Sequence, residues 1–298
     1  MAKAIPPSEL IINGDGSVFH LRLKPGEAAE KIILVGDPGR VGLIARRFNH
    51  VETRVANREF VTATGTVNGE RITALSTGIG TDNIDIVMTE LDALYNVDFT
   101  TRTVCPHLKK LWITRLGTSG ALQPDIEAGT CLLSKTSIGL DGAIRYYAGS
   151  EKVRDLELER DFMERLPWPA GVNPPYAVHA SPRLCELYTD FTEEGITLSA
   201  PGFYGAQGRE VRLPLAAPNL NRRLEDYRYR GRRITNYEME GSALAAMAAM
   251  LGHEAVTVCT VIAQRVGREA RTDYGGFIDR MIDLCLEKLV NLNKNPYL

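Results

Sequence analysis

Four glycine-bearing segments of this 298-residue chain concentrate side chains suited to binding anions and hydroxyl groups. The first is Gly36-Asp37-Pro38-Gly39-Arg40, set between an apolar strand signal and a helix signal. A turn there exposes backbone N–H groups at the positive end of a helix, and Arg40 adds a planar, permanently charged fork. The plainer reading is a tight Pro-Gly turn with a solvated arginine. The second segment, RLGTSG over 115–120, reads as a turn at the carboxyl end of another strand, where open α/β sheets bind ligands. Arg115 would offer a guanidinium, Gly117 a bare N–H and Thr118 a hydroxyl to an oxyanion. An Arg115 paired with a structural carboxylate fits the sequence equally well. Two such arginine turns together suggest a site for phosphate.

The third segment, STGIGTDN over 76–83, has the outline of a dinucleotide fingerprint but lacks its next glycine. The strand before it belongs to a hairpin, so a Rossmann cofactor site is rejected. Gly78 and Gly80 would instead let the backbone approach a ligand or turn into a helix. The fourth, NYEMEG over 236–241, places Glu238 and Glu240 two residues apart at a strand-to-helix junction. Paired carboxylates accept hydrogen bonds from vicinal hydroxyls, although Glu240 in a first helical turn also suits a dipole or capping role. Beside a phosphate site the pair reads as sugar recognition. HExxH, EF-hand and paired-cysteine metal signatures are absent, as is GxxxxGK[ST]. Ser119 lies in Gly-Thr-Ser-Gly, which is no nucleophile elbow.

Positioning these segments requires an alternation of strands and helices, and the apolar periodicity supplies one. Strands are expected at 31–36, 60–67, 71–76, 111–116, 130–137, 197–200, 234–237 and 255–263. Helices are expected at 41–48, 82–95, 182–189, 240–251 and 276–292. Asn68-Gly69 is the dipeptide of a type I′ turn and makes 60–76 a hairpin. Asp82 or Asn83 would cap the helix after it. The expected fold is α/β, a single-domain three-layer sandwich with a central mixed β-sheet flanked by helices. The domain spans 1–298, with 1–17 an N-terminal extension, 96–110 an insertion, and the Pro-rich 167–175 a surface connection.

Composition narrows the classes. The chain is 44% hydrophobic and 24% charged, which excludes disorder and fibrous repeats. Thirty-five Lys and Arg against thirty-seven Asp and Glu argue against a polyanion binder, so no nucleic-acid partner is expected. The arginine-rich stretch 221–233 is broken by Glu225 and Asp226 and reads as a solvated helix face. No apolar run reaches membrane-spanning length, and the start of the chain has no secretory apolar core, so a cytoplasmic protein is expected. Five scattered cysteines read as reduced, buried thiols.

In their order and separations, GDPGR, RLGTSG and NYEMEG resemble the nucleoside phosphorylase family, from about Val18 to Leu289. FYGAQGR over 203–209 resembles the uracil-reading loop of the uridine-cleaving branch, and Asn57-Arg58-Glu59-Phe60 its arginine lent across a dimer interface. The resemblance implies that Gly36, Arg40, Arg115, Gly117 and Thr118 hold phosphate, joined by Arg58 from a neighbouring subunit. Glu238, Met239 and Glu240 would hold ribose, and His20 of the neighbour would reach the 5′-hydroxyl. Alone, His20 is an ordinary surface histidine; only its surroundings suggest more. Gln207 and Arg209 would read the uracil edge, with Phe203 and Ile262 against the ring. Arg115, Gln207, Arg209 and Glu240 would carry the catalysis.

The implied reaction is uridine plus phosphate giving uracil and ribose 1-phosphate, through an oxocarbenium-like sugar with phosphate as nucleophile. Other nucleosides, or a non-catalytic nucleoside binder of this fold, are the alternatives. Purine-cleaving relatives place an Asp after the late strand; here Ile262-Ala263-Gln264-Arg265 carries no acid. The implied partners are nucleoside, phosphate and copies of the same chain, assembled as dimers into a homohexamer. No cofactor or metal is expected, with a structural monovalent cation at the dimer interface compatible with the family. Two departures stand out. The 96–110 segment exceeds the usual tight connection, and LPLAAPNLN over 213–221 suggests a lid over the base.

Overall fold

The computed structural model describes residues 3–292 apart from Pro167, Val266 and Arg268. The Pro-rich connection expected at 167–175 therefore begins at a residue outside the described set.

In chain order, β1 (Lys31–Val35) leads through α1 (Pro38–Ala45) to a meander of β2 (His50–Asn57), β3 (Phe60–Val67) and β4 (Glu70–Ser76). Then come α2 (Thr81–Asn96), the short pair β5 (Val97–Asp98) and β6 (Thr103–Val104), β7 (Trp112–Ala121) and β8 (Cys131–Gly139). They are followed by α3 (Leu156–Arg165), β9 (Tyr176–His179), α4 (Pro182–Tyr188), β10 (Glu193–Ser199) and α5 (Leu220–Asp226). The chain finishes with β11 (Arg228–Tyr229), β12 (Arg232–Glu238), α6 (Gly241–Leu251), β13 (Glu254–Gln264), β14 (Glu269–Ala270) and α7 (Gly275–Val290). Twelve strands form one mixed sheet along the path β11-β12-β10-β8-β13-β7-β1-β4-β3-β2, with β9 and β14 attached to β8 and β13.

All five residues of β1 are buried because helices cover both sheet faces. Its side chains alternate between the two layers. Ile33 and Val35 pack with α1, α4 and α7, whereas Ile32 and Leu34 pack with α2, α6 and the N-terminal residues Val18, Leu21 and Leu23. This is the expected α/β sandwich.

Several boundaries differ from the sequence reading. Helix α1 starts at Pro38 rather than at 41, because Asp37 caps it by accepting from Gly39 N–H at 2.8 Å and proline suits the first helical position. Helix α2 starts at Thr81, so Asp82 and Asn83 lie inside it; its cap is Gly80, at a φ of 104° that glycine tolerates. RLGTSG is no turn. β7 runs straight through it to Ala121, pairing with β1, β13 and β12. The arginine-rich stretch is only partly helical: α5 ends at Asp226, and Arg228–Glu238 form a hairpin. Within it Arg230 pairs with Glu157 and Arg233 with Asp125.

The 96–110 segment is a closed loop. Asn96 ties its base, accepting from Lys109 N–H at 2.7 Å and donating to Lys109 C=O at 3.2 Å. From the loop, Arg102 donates to the carbonyls of Ile5, Pro6 and Leu10. The loop thus clamps the N-terminal segment.

Candidate active site

One cleft of about 1560 Å³ opens where β1, β4, β7, β12 and β13 end. Gly36, Arg40, Arg115, Thr118, Glu238, Met239, Glu240, Phe203, Gln207, Arg209 and Ile262 all line it. Segments far apart in sequence are therefore brought together by the mixed sheet. Gly117, His20 and Arg58 do not line this cleft in the same chain.

Gly117 is a packing requirement. A Cβ there would sit 2.6 Å from Arg115 Nη1 and 2.8 Å from Cys259 Sγ. Its absence lets Arg115 turn beside its own strand toward β12. There Arg115 Nη1 donates to Glu238 Oε2 at 3.1 Å, and Nη2 donates to Glu240 Oε2. The carboxylate pairing that the sequence left open is thus real. Burial opposes the Arg115 charge, but Glu240 and Glu238 outweigh it and hold the guanidinium above its ordinary range. Burial pushes Glu240 up, Arg115 opposes this, and Glu238 adds to it.

Glu238 carries a load that the sequence did not signal. Its Oε2 accepts from Glu240 N–H at 2.9 Å and Gly241 N–H at 2.8 Å, capping α6, while Oε1 accepts from Ser199. Glu240 accepts from Gly80 N–H at 2.7 Å, which fixes the third glycine segment against the fourth. Arg40 differs from Arg115. It makes no side-chain hydrogen bond or ion pair with another described residue, and burial lowers its pKa. Thr118 also keeps its hydroxyl free of described partners while lining the cleft. These two groups are donors available to a ligand.

A second cluster surrounds Gln207, which is only 3% exposed. Arg209 Nη1 donates to Gln207 Oε1 and to Phe203 C=O, both at 2.6 Å, and its guanidinium lies 3.8 Å from the Phe203 ring centroid. Burial, with Arg265 close by, pushes Arg209 down to about 10. Arg265 Nη2 and Asn221 Nδ2 both donate to Gln207 C=O, at 2.9 and 3.0 Å. Arg265 and Asn221 were missed. The sequence offered a signal for the first: a basic residue stands just past the place where an acid was sought and not found. Arg265 packs over Gly120, whose absent Cβ would meet Arg265 Cδ at 3.0 Å. Leu215, Pro218 and Asn219 of the 213–221 run also line the cleft. A largely apolar cavity of about 710 Å³ adjoins it and shares Gly208, Arg209 and Leu215. Among the described residues, no group of three or more His, Cys, Asp or Glu could hold a metal ion.

A mixed sheet that ends in paired carboxylates, available cationic donors and a buried amide defines an α/β protein built to bind a polar, multiply hydroxylated anionic complex. A family model described as the phosphorylase superfamily matches residues 30–290, and the chain belongs to that family. It is 33% identical over 257 residues to a uridine phosphorylase of Thermococcus kodakarensis, covering 86% of this chain and 80% of the relative. Against a uridine phosphorylase of Escherichia coli the identity is 30%, covering 85% and 88%. A Trypanosoma brucei nucleoside phosphorylase structure, described as showing uridine phosphorylase activity, aligns with TM-score 0.84 at 29% identity. It covers 95% of this chain and 98% of that one.

Proposed function

We propose that this protein cleaves uridine with phosphate, giving uracil and ribose 1-phosphate, and that it needs no cofactor beyond phosphate itself. One observation carries the reading: a single cleft holds the partner-free Arg40 and Thr118 together with the Gln207–Arg209–Arg265 cluster. The first pair suits an oxyanion. The second suits the polar edge of a pyrimidine, and the late strand supplies Gln264 and Arg265 where a purine nitrogen would need an acid. The uridine phosphorylase names of the Thermococcus kodakarensis and Escherichia coli relatives support this choice of base.

In this reading Arg40, Thr118 and the N–H groups near Gly36 seat phosphate, with Arg115 supplying positive charge behind them. Glu240 and Met239 face the ribose, and Glu238 keeps Arg115 and the start of α6 in place. A phosphate oxygen bonds to the sugar C1′ as the bond to the base nitrogen breaks, and that electron pair moves into the uracil ring. Gln207 and Arg209 donate to the ring's developing negative charge; one well-placed donor of this kind is worth about 3–4 kcal/mol in a transition state. Arg58 and His20 would enter from a neighbouring copy of the chain, making one catalytic domain per subunit and an assembly built from dimers, up to a hexamer. A cytoplasmic location suits a salvage reaction on free nucleosides.

The test is ultraviolet-monitored cleavage of uridine and of inosine, each with and without phosphate. Phosphate-dependent loss of uridine alone is expected. Consumption of inosine would overturn the base assignment, and turnover without phosphate would overturn the reaction class.

A further inference from the structure

The N-terminal segment reaches the sheet through one small closed loop. Val18 N–H donates to Leu23 C=O at 2.9 Å and Arg22 N–H to Val18 C=O at 3.2 Å, with Arg22 itself at a φ of 56°. Val18, Leu21 and Leu23 are fully buried against α2, while the His20 side chain stays a quarter exposed. His20 C=O accepts from Asn57 Nδ2 at 2.8 Å, so the loop sits beside Arg58 in the turn between β2 and β3.

Beneath this loop lies Glu90 of α2, 6% exposed. Its carboxylate accepts from His20 N–H at 2.9 and 3.0 Å and from Leu21 N–H at 2.8 Å, and it faces His20 Nδ1 at 2.7 Å. Among the described residues its only ion-pair partner is His20. A buried carboxylate without Lys or Arg is costly unless its oxygens are fully hydrogen-bonded. An ionised carboxylate can only accept, so the ring nitrogen facing it has to carry a proton. In the neutral ring that leaves Nε2 as the acceptor, facing away from Glu90. Phe19 and Phe60 set their rings edge-on to the imidazole, at centroid distances of 4.8 and 6.2 Å, and restrict its rotation.

We propose that Glu90 is a positioning residue: it fixes His20 as the Nδ1–H tautomer and aims Nε2 as the acceptor for the ribose 5′-hydroxyl. The proposal rests on the reading of His20 given above. It adds that preference for a substrate bearing a 5′-hydroxyl is set one residue behind the contact, in α2. The amide of Glu90→Gln has only one oxygen for the work of two and presents N–H groups toward donors, so the ring is no longer held in one tautomer.

The experiment compares uridine with 5′-deoxyuridine, which lacks the hydroxyl, in wild type, Glu90→Gln and His20→Ala. Outer partners of metal-bound histidines typically account for about 10–100-fold, and on that scale kcat/KM for uridine should fall at least about tenfold in Glu90→Gln. For 5′-deoxyuridine it should change less than about twofold, because there is no hydroxyl for the ring to hold. Equal loss on both substrates, or no loss, would overturn the proposal and leave Glu90 a folding residue. If His20→Ala discriminates between the substrates and Glu90→Gln does not, only the Glu90 proposal fails. If His20→Ala itself does not discriminate, the reading of His20 fails and takes the proposal with it. Ring ¹⁵N shifts of the wild-type protein give an answer that does not depend on any variant folding. A protonated Nδ1 with a bare Nε2 is expected, and the opposite tautomer would overturn the proposal.

Discussion

Arg40 and Arg115 were both read from sequence as phosphate ligands, Arg115 with a catalytic role as well, and their environments set them further apart. Arg40 has no described side-chain partner, so Arg40→Ala should weaken phosphate use while leaving the fold intact. The expected result is a phosphate KM raised about tenfold or more, the loss of one charge-assisted contact, with an unchanged urea midpoint. Arg115 is the cation paired with both Glu238 and Glu240 in a buried site. Removing one partner of a buried ion pair typically costs about 3–5 kcal/mol, so Arg115→Ala should lower the urea midpoint as well as the rate. An Arg115→Ala protein as stable as wild type would mean that the carboxylates find other partners. The residue types at these positions were legible because each glycine segment pairs a charge with a bare backbone. The division of labour was not, because Arg115 meets Glu238 and Glu240 across more than a hundred residues.

At the scale of elements, the strand pattern was legible wherever both sheet faces are covered, as in β1, β4 and β13. It failed at Gly117–Gly120, where small and polar residues replace the apolar run. Pairing with β13 along the whole stretch, and with β12 from Gly120, holds that backbone extended regardless. Strand β2 was missed because it lies at the sheet edge and none of its eight residues is fully buried. Helix α3 was missed because only Leu158 and Phe162 anchor it. The glycine in β7 has a measurable consequence. Gly117→Ala puts a methyl group into the space of Arg115 Nη1 and Cys259 Sγ, and overpacking of this kind costs about 1–3 kcal/mol. The variant should unfold at lower urea and lose activity through the displaced arginine. Full activity with wild-type stability would show that β7 can shift to absorb the methyl.

For the whole molecule, the position of His20 and Arg58 matters most. Asn57 ties the His20 loop to the turn that carries Arg58, yet neither residue lines the cleft of its own chain. On the proposed reading, each subunit completes another's site. Assayed at phosphate well below the raised KM, where each is weakened alone, Arg58→Ala and Arg40→Ala proteins should then regain activity when unfolded together and reassembled. Random pairing into two-fold dimers restores about one quarter of wild-type activity, since half the pairs are mixed and each mixed pair has one intact site. No recovery on mixing would place both arginines in one chain's site. Only the resemblance suggests this sharing, since nothing in the composition or periodicity of a single chain reports a contact with its copy.

The five reduced cysteines, read from sequence as buried thiols, have a use beyond packing. Four of them are buried, and Cys105 is half-buried on the clamping loop. Burial pushes Cys185 and Cys259 up to about 12, and Cys131 and Cys285 also rise. Since the thiolate is the reactive form, these side chains stay inert toward alkylating reagents for as long as the sheet and its helices remain packed. They respond as soon as the packing opens. Cys285 lies in α7, Cys185 in α4, Cys131 in β8 and Cys259 beside Arg115, so the molecule carries its own set of local clocks. The order in which the thiols become labelled records which layer of the sandwich lets go first.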